Sequence, residues 1–229
     1  MRKIAIIVAG GSGQRMNSAV AKQFLLLQNK PILFHTLRAF KSADPSTELR
    51  VVLPENQISY WNSLCEKFPE IRIETPHQVI IGGETRFHSS KNGIDSIDTS
   101  EECLVAIHDG VRPLILPETI NQAFKMAEKK GNCVVSVSSK DSIRLWDARA
   151  NVYKSVLRNE VKIIQTPQIF EINSLKKAFK QAYSPLFTDD ASVLEANGES
   201  IYLMEGEYSN LKITTPEDLL VAESILQPK

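Results

Sequence analysis

Short runs of consecutive apolar residues alternate along this chain with longer stretches whose apolar residues recur every three or four positions. The first run is residues 4–8. "LRVVLP" (49–54), "CLVAIHDG" (103–110), "CVVSVS" (133–138), "IIQTPQIF" (163–170) and "SIYLME" (200–205) repeat it, and all read as strands. "IRIE" (71–74) and "VIIGG" (79–83) read as two short strands. Helical spacing covers 32–42, 58–68, 85–97, 117–131, 172–183, 189–197 and 216–226, with Pro117 opening the fourth of these and Gly131 closing it. Strand–helix alternation of this kind predicts an α/β fold with a mostly parallel, doubly wound sheet.

Residues 138–159 break the pattern. They are polar, with weak period-two alternation around a turn at "DARAN" (147–151), which predicts a β-hairpin protruding from the domain. Leu145, Trp146, Val152, Tyr153 and Val156 on it are too apolar to be left in water, so a partner surface is expected there.

Composition narrows the function. At 229 residues the chain sits at the upper end for one domain, so a single domain spanning 1–229 is expected. Lys and Arg total 27, as do Asp and Glu, so no global field draws the protein to nucleic acid or an anionic membrane. Anion chemistry must then come from local clusters. "MRKIAIIVAGG" carries an apolar run too short for a secretory leader and is followed by a glycine loop, so it reads as a buried first strand. No run approaches transmembrane length. Cys65, Cys103 and Cys133 are odd in number and far apart, which reads as buried thiols in a reducing, cytoplasmic compartment.

The chemistry starts at "VAGGSGQRMNSAVAKQF" (8–24), a glycine loop after the first strand, where open parallel sheets bind ligands. Glycines let backbone N–H groups approach an anion closely. The dinucleotide pattern fits Gly11 and Gly13 but meets Met16 at its third position, and the G-K-[ST] of a P-loop is absent. Arg15 and Lys22 add two side-chain cations to the loop, which suits a triphosphate that loses pyrophosphate; a tight turn with exposed cations is the competing reading.

The loop "GGSGQRM" with Lys22-Gln23, "GGETR" (82–86), "HDGVRP" (108–113), "RN" (158–159) with "QTPQIF" (165–170), "TDDAS" (188–192) and "NLKITTPEDL" (210–219) together resemble the 2-C-methyl-D-erythritol 4-phosphate cytidylyltransferase family, in its order and over nearly the whole chain. The resemblance implies a Rossmann-like domain of the nucleotide-diphospho-sugar transferase type, with residues 138–159 as a dimerisation arm. It also implies attack of a phosphomonoester oxygen on the α-phosphorus of CTP, in a homodimer with shared active sites.

Carried over position by position, Arg15 and Lys22 would stabilise charge on the α-phosphoryl group and the leaving pyrophosphate. Ala9, Gly10, Gly11, Gly13, Gly83, Glu84, Ser89 and Gly110 would hold the nucleotide, with Glu84 standing where Asp is common. Asp109 would hold Mg²⁺ between phosphate oxygens, its alternative being a helix cap. Ser142, Arg158 and Lys212 would hold the sugar-alcohol phosphate, with Ser142 in place of the family's usual Thr and Ser209 where an acid is often found. Arg112 is expected either in that pocket or as a buttress to Asp109. Thr166 and Thr188 match pocket residues or serve the strand and cap. Arg86 reads as a structural partner rather than a phosphate ligand, and His108 is assigned no role. The rival readings are a ribitol- or other polyol-phosphate cytidylyltransferase and a non-catalytic nucleotide-binding regulator.

Overall fold

The computed structural model describes residues 1–10, 20–98 and 101–227. In chain order the elements are β1 (Arg2–Val8), β2 (Leu26–Leu27), β3 (Lys30–Pro31), α1 (Ile32–Ala43), β4 (Glu48–Leu53), α2 (Glu55–Lys67), α3 (Glu70–Glu74), β5 (His77–Ile81), α4 (Arg86–Asp95), β6 (Cys103–Asp109) and α5 (Pro117–Lys130). There follow β7 (Asn132–Ser138), β8 (Ile143–Asp147), β9 (Val152–Val156), β10 (Lys162–Glu171), α6 (Ile172–Ala178), α7 (Asp190–Ala196), β11 (Leu203–Glu205) and α8 (Pro216–Leu226).

Seven strands form one sheet in the order β11-β7-β10-β6-β1-β4-β5, every pairing parallel except the two made by β10. β10 runs antiparallel because it follows β7 through the hairpin rather than through a crossover helix. Successive residues of a strand point to opposite faces, and here both faces are covered. Ala5 and Ile7 of β1 pack with α1, α2 and α5, whereas Ile4 and Ile6 pack with α4, α6 and α7. That is why the strands read as unbroken apolar runs. A Cβ on Gly93 of α4 would stand 2.6 Å from Ile6 Cγ2, so the missing side chain lets this helix lie directly on β1. A smaller cluster of Leu27, Ile32, Val111, Leu114, Ile213 and Ala222 seats α8 beside the end of β6.

Gly131 closes α5 in the left-handed region at φ 87°, as its position predicts. "IRIE" is not a strand. Residues Glu70–Glu74 are the helix α3, because β5 already occupies the sheet edge beside β4 and the segment closes its hydrogen bonds locally, Ile73 N–H to Pro69 O among them. Of "SIYLME" only Leu203–Glu205 joins the sheet. The Asn132 amide intercepts the preceding backbone, donating to Ser200 O and accepting from Tyr202 N–H, each at 2.9 Å. The helix expected over 172–183 stops at Ala178 and continues as turns, with the Gln181 side chain donating to Val193 O.

β8 and β9 pair into the expected hairpin, which forms a sheet of its own. Trp146 faces Tyr153 across it, their rings 4.9 Å apart. Leu145, Trp146, Val152 and Tyr153 stay exposed and Val156 is half-buried. Asp147 Oδ1 accepts from the backbone N–H groups of Arg149 and Ala150, which fixes the turn. Cys65, Cys103 and Cys133 are buried and unbridged, and burial pushes the Cys133 thiol up to about 12. No helix among the described residues is long and apolar enough to cross a membrane.

Candidate active site

β1 and β6 lie in register, Val8 opposite Asp109, so the chains leaving both strands meet at one sheet edge. Ala9 N–H donates to Val52 O and leads into Gly10; Gly11, Gly13 and Arg15 lie outside the described residues. The returning segment turns at Lys22–Phe24, where Gln23 is fully buried. Its Nε2 donates to Ala9 O at 2.8 Å and to Gln57 Oε1 at 2.6 Å, which ties the two ends of the loop together beside Lys22. Gln23 is a support the sequence motif contained and the reading of its cations passed over.

β5 ends in the Gly82–Gly83 turn. A Cβ on Gly83 would stand 2.4 Å from His88 Cβ, so only glycine lets α4 begin so abruptly. Thr85 caps the helix by accepting from His88 N–H, and Gly83 N–H donates to Ser89 Oγ at 3.1 Å. Ala9, Gly10, Lys22, Gly83, Glu84 and Ser89 thus line one cleft of about 210 Å³. Gly110 does not line it: its N–H donates to Val8 O, its carbonyl accepts from Thr36 Oγ1, and it packs behind Ala9.

Charge concentrates where this cleft meets a second, of about 240 Å³, lined by Arg112, Gln165, Thr166 and Thr188 among others. Arg86, Asp109 and Lys212 belong to both walls. Asp109 Oδ2 is 3.0 Å from Lys212 Nζ and 3.3 Å from Arg112 Nε, and Oδ1 is 3.7 Å from Arg86 Nε. Burial by itself would raise the Asp109 carboxyl, but Arg86, Lys212 and Arg112 together outweigh it and hold the group well below the usual carboxylate range. Arg112 braces Asp109, one of the two roles expected of it, and also lines the second cleft, while its Nη1 donates to Asn210 O at 2.7 Å. Asn210, fully buried, donates in turn to Gln165 Oε1 and Thr166 O, anchoring the segment that carries Lys212. Arg86 has the structural partner expected of it, Asp190 at 2.6 Å. Thr166 Oγ1 accepts from Asp109 N–H, so it serves the strand as well as the cleft.

His108 lies buried behind this edge. Its Nε2 donates to Arg112 O and burial holds it down to about 4, so it is neutral at physiological pH and offers no acid–base chemistry. Ser142 and Arg158 line neither cleft: both are exposed at the root of the hairpin, where Arg158 Nη1 donates to Lys140 O.

Two clefts that meet at a shared wall of Arg86, Asp109 and Lys212 suit transfer of a nucleotidyl group from one anionic substrate to another, and this α/β fold with such a site defines the class of the nucleotidyltransferases. The model of the IspD family, 2-C-methyl-D-erythritol 4-phosphate cytidylyltransferase, matches residues 3–228. The chain belongs to that family of CTP-dependent cytidylyltransferases. It is 44% identical to the 2-C-methyl-D-erythritol 4-phosphate cytidylyltransferase of Bacteroides thetaiotaomicron over 99% of this chain and 100% of that one. To the enzyme of the same name from Bacteroides fragilis it is 42% identical, again over 99% and 100%. Among solved structures, the 4-diphosphocytidyl-2C-methyl-D-erythritol synthase of Anaerococcus prevotii superposes with a TM-score of 0.82 at 27% identity, covering 99% of both chains.

Proposed function

We propose that this chain joins CTP to 2-C-methyl-D-erythritol 4-phosphate, forming 4-diphosphocytidyl-2-C-methyl-D-erythritol and pyrophosphate in non-mevalonate isoprenoid precursor synthesis. Beyond family membership, the observation that carries the reading is the shared wall of Arg86, Asp109 and Lys212 between the two clefts. A nucleotide in the first cleft and a phosphomonoester in the second would bring the attacking oxygen to the α-phosphorus at that wall.

A phosphomonoester is largely dianionic near neutral pH, so its oxygen attacks without a general base, in keeping with a neutral, withdrawn His108. Gly10, Gly83, Glu84 and Ser89 hold the cytidine side, and Arg15 and Lys22 meet the charge on the α-phosphoryl group and pyrophosphate. Lys212 and Arg112 hold the acceptor phosphate. Asp109 is the residue that would hold Mg²⁺. Among the described residues its Oδ1 has only the 3.7 Å contact with Arg86 and so keeps lone pairs for a metal, and one carboxylate with substrate oxygens is the ligand set Mg²⁺ takes. No group of three or more His, Cys, Asp or Glu occurs among the described residues that could form an all-protein cage, so the ion would arrive with the triphosphate and neutralise its charge. The chain acts as one domain, 1–229, whose arm 138–159 clasps a second copy in a cytoplasmic homodimer. That Ser142 and Arg158 line neither of these clefts supports their acting in the partner's site.

The test is pyrophosphate release by the purified protein with CTP and Mg²⁺, using 2-C-methyl-D-erythritol 4-phosphate or ribitol 5-phosphate as acceptor. The expected preference in kcat/KM for the first is on the order of 10²-fold. A preference for ribitol phosphate overturns the choice of acceptor, and no turnover with either overturns the reaction.

A further inference from the structure

Of the three residues common to both clefts, Lys212 and Asp109 have roles in the reaction above, while Arg86 so far has only ion pairs, with Asp190 and at longer range with Asp109. That pair does not use up the guanidinium. Nη2 donates to Asp190 Oδ2 at 2.6 Å, Nε stands 3.7 Å from Asp109 Oδ1, and among the described residues Nη1 donates to no acceptor. The side chain keeps 30% of its surface exposed at the junction, whereas Asp190 keeps 1%. Arg86, Arg112 and Lys212 there meet the carboxylates Asp109, Asp189 and Asp190, and Lys22 adds a further cation on the wall of the first cleft.

Asp190 is a fixed anchor. It opens α7, whose cap Asp189 accepts from Gln168 Nε2 at 2.8 Å, and the next residue, Ala191, donates its N–H to Gln168 Oε1 at 2.9 Å. Gln168 belongs to β10, paired with β6, the strand that carries Asp109. The guanidinium is therefore held rigidly to the sheet on one side and open to the clefts on the other. A preorganised donor of this kind loses nothing to reorganisation when charge develops in front of it. A residue serving only the ion pair would have no need to face both clefts with an unused donor.

We infer that Arg86, oriented by Asp190, is a further catalytic residue, donating a hydrogen bond to a non-bridging oxygen of the α-phosphoryl group as it passes from pyrophosphate to the acceptor. This rests on the cytidylyl-transfer reading above. The bond formed is between the acceptor phosphate oxygen and the α-phosphorus, the bond broken is from that phosphorus to pyrophosphate, and Arg86 stays protonated throughout.

Removing Arg86 alone strands the buried Asp190 carboxylate, so the test pairs Arg86→Lys with the neutral double variant Arg86→Gln/Asp190→Asn. Steady-state kinetics of the full-length protein are measured with CTP and with the two diastereomers of CTPαS, which place sulfur at one or the other non-bridging α-oxygen. For both variants kcat is expected to fall on the order of 10²-fold with a much smaller change in KM for CTP. The native preference between the diastereomers is expected to shrink about 10-fold, because the sulfur no longer displaces a specific hydrogen bond. A folded double variant with kcat within about 3-fold of native, or an unchanged diastereomer preference in both variants, overturns the inference and leaves Arg86 a structural partner. Should the native protein use a different polyol phosphate, the same comparison is made with that acceptor. No turnover by the native protein with any of them overturns the reaction and this inference together.

Discussion

Replacing Asp109 by Asn removes one negative charge from the point on which Lys212, Arg112 and Arg86 converge at 3.0, 3.3 and 3.7 Å. The shape is kept and the compensation is lost. Lys212, 41% exposed, can turn to water, but Arg112, 11% exposed and held by Asn210 O, cannot. Breaking one side of a buried ion pair costs about 3–5 kcal/mol, and the escape of Lys212 sets the lower end, about 3 kcal/mol. At about 2–4 °C per kcal/mol for a chain of this size, the melting temperature should fall by about 6–12 °C. The same cluster, freed of its carboxylate, attracts a polyanion more strongly. Melting in excess chelator with and without CTP should therefore give a larger CTP-induced rise for Asp109→Asn than for the native protein. With Mg²⁺ present, most of the turnover should be lost, since the carboxylate proposed to hold the metal is gone. An unchanged melting temperature without nucleotide, or a CTP-induced rise no larger than native, would refute the view that Asp109 is there to balance these cations.

If Lys22 and Arg15 act as proposed, Lys22→Ala and Arg15→Ala should each lower kcat on the order of 10²–10³-fold while weakening CTP binding far less, since the charge on the α-phosphoryl group and pyrophosphate is greatest in the transition state; an effect confined to KM would contradict that. His35, His77 and His108 are all pushed down by burial, His108 to about 4. The unfolded chain therefore binds more protons as pH drops below about 6.5, and stability falls from there towards pH 4, with His108 alone contributing about 3 kcal/mol to the loss. Urea midpoints that stay constant from pH 7 to pH 5 would contradict this. Co-expressing Arg15→Ala with Arg158→Ala chains should restore activity in about a quarter of sites if subunits pair at random and each site draws Arg158 from the partner subunit. Background activity in a purified heterodimer would count against shared sites.

Much of this protein is legible in the sequence because its signals are local. Apolar runs become strands buried on both faces, Gly83 and Thr85 start α4 where the "GGETR" motif places it, and Gly131 ends α5. The hairpin follows from period-two alternation, and the cleft residues Ala9, Gly10, Lys22, Gly83, Glu84 and Ser89 converge because parallel strands end at one edge. Tertiary structure decided what depends on partners distant in the chain. "IRIE" alternates like a strand but finds the sheet edge occupied, and "SIYLME" loses its first half to the Asn132 side chain. Gln23 bracing Ala9, Asn210 bracing Arg112, and Arg86 joined to Asp190 across 104 positions are polar contacts that leave no periodic trace. A buried polar group is stable only where folding supplies its partner, so composition and spacing identify the charges while the closed fold alone determines which of them meet.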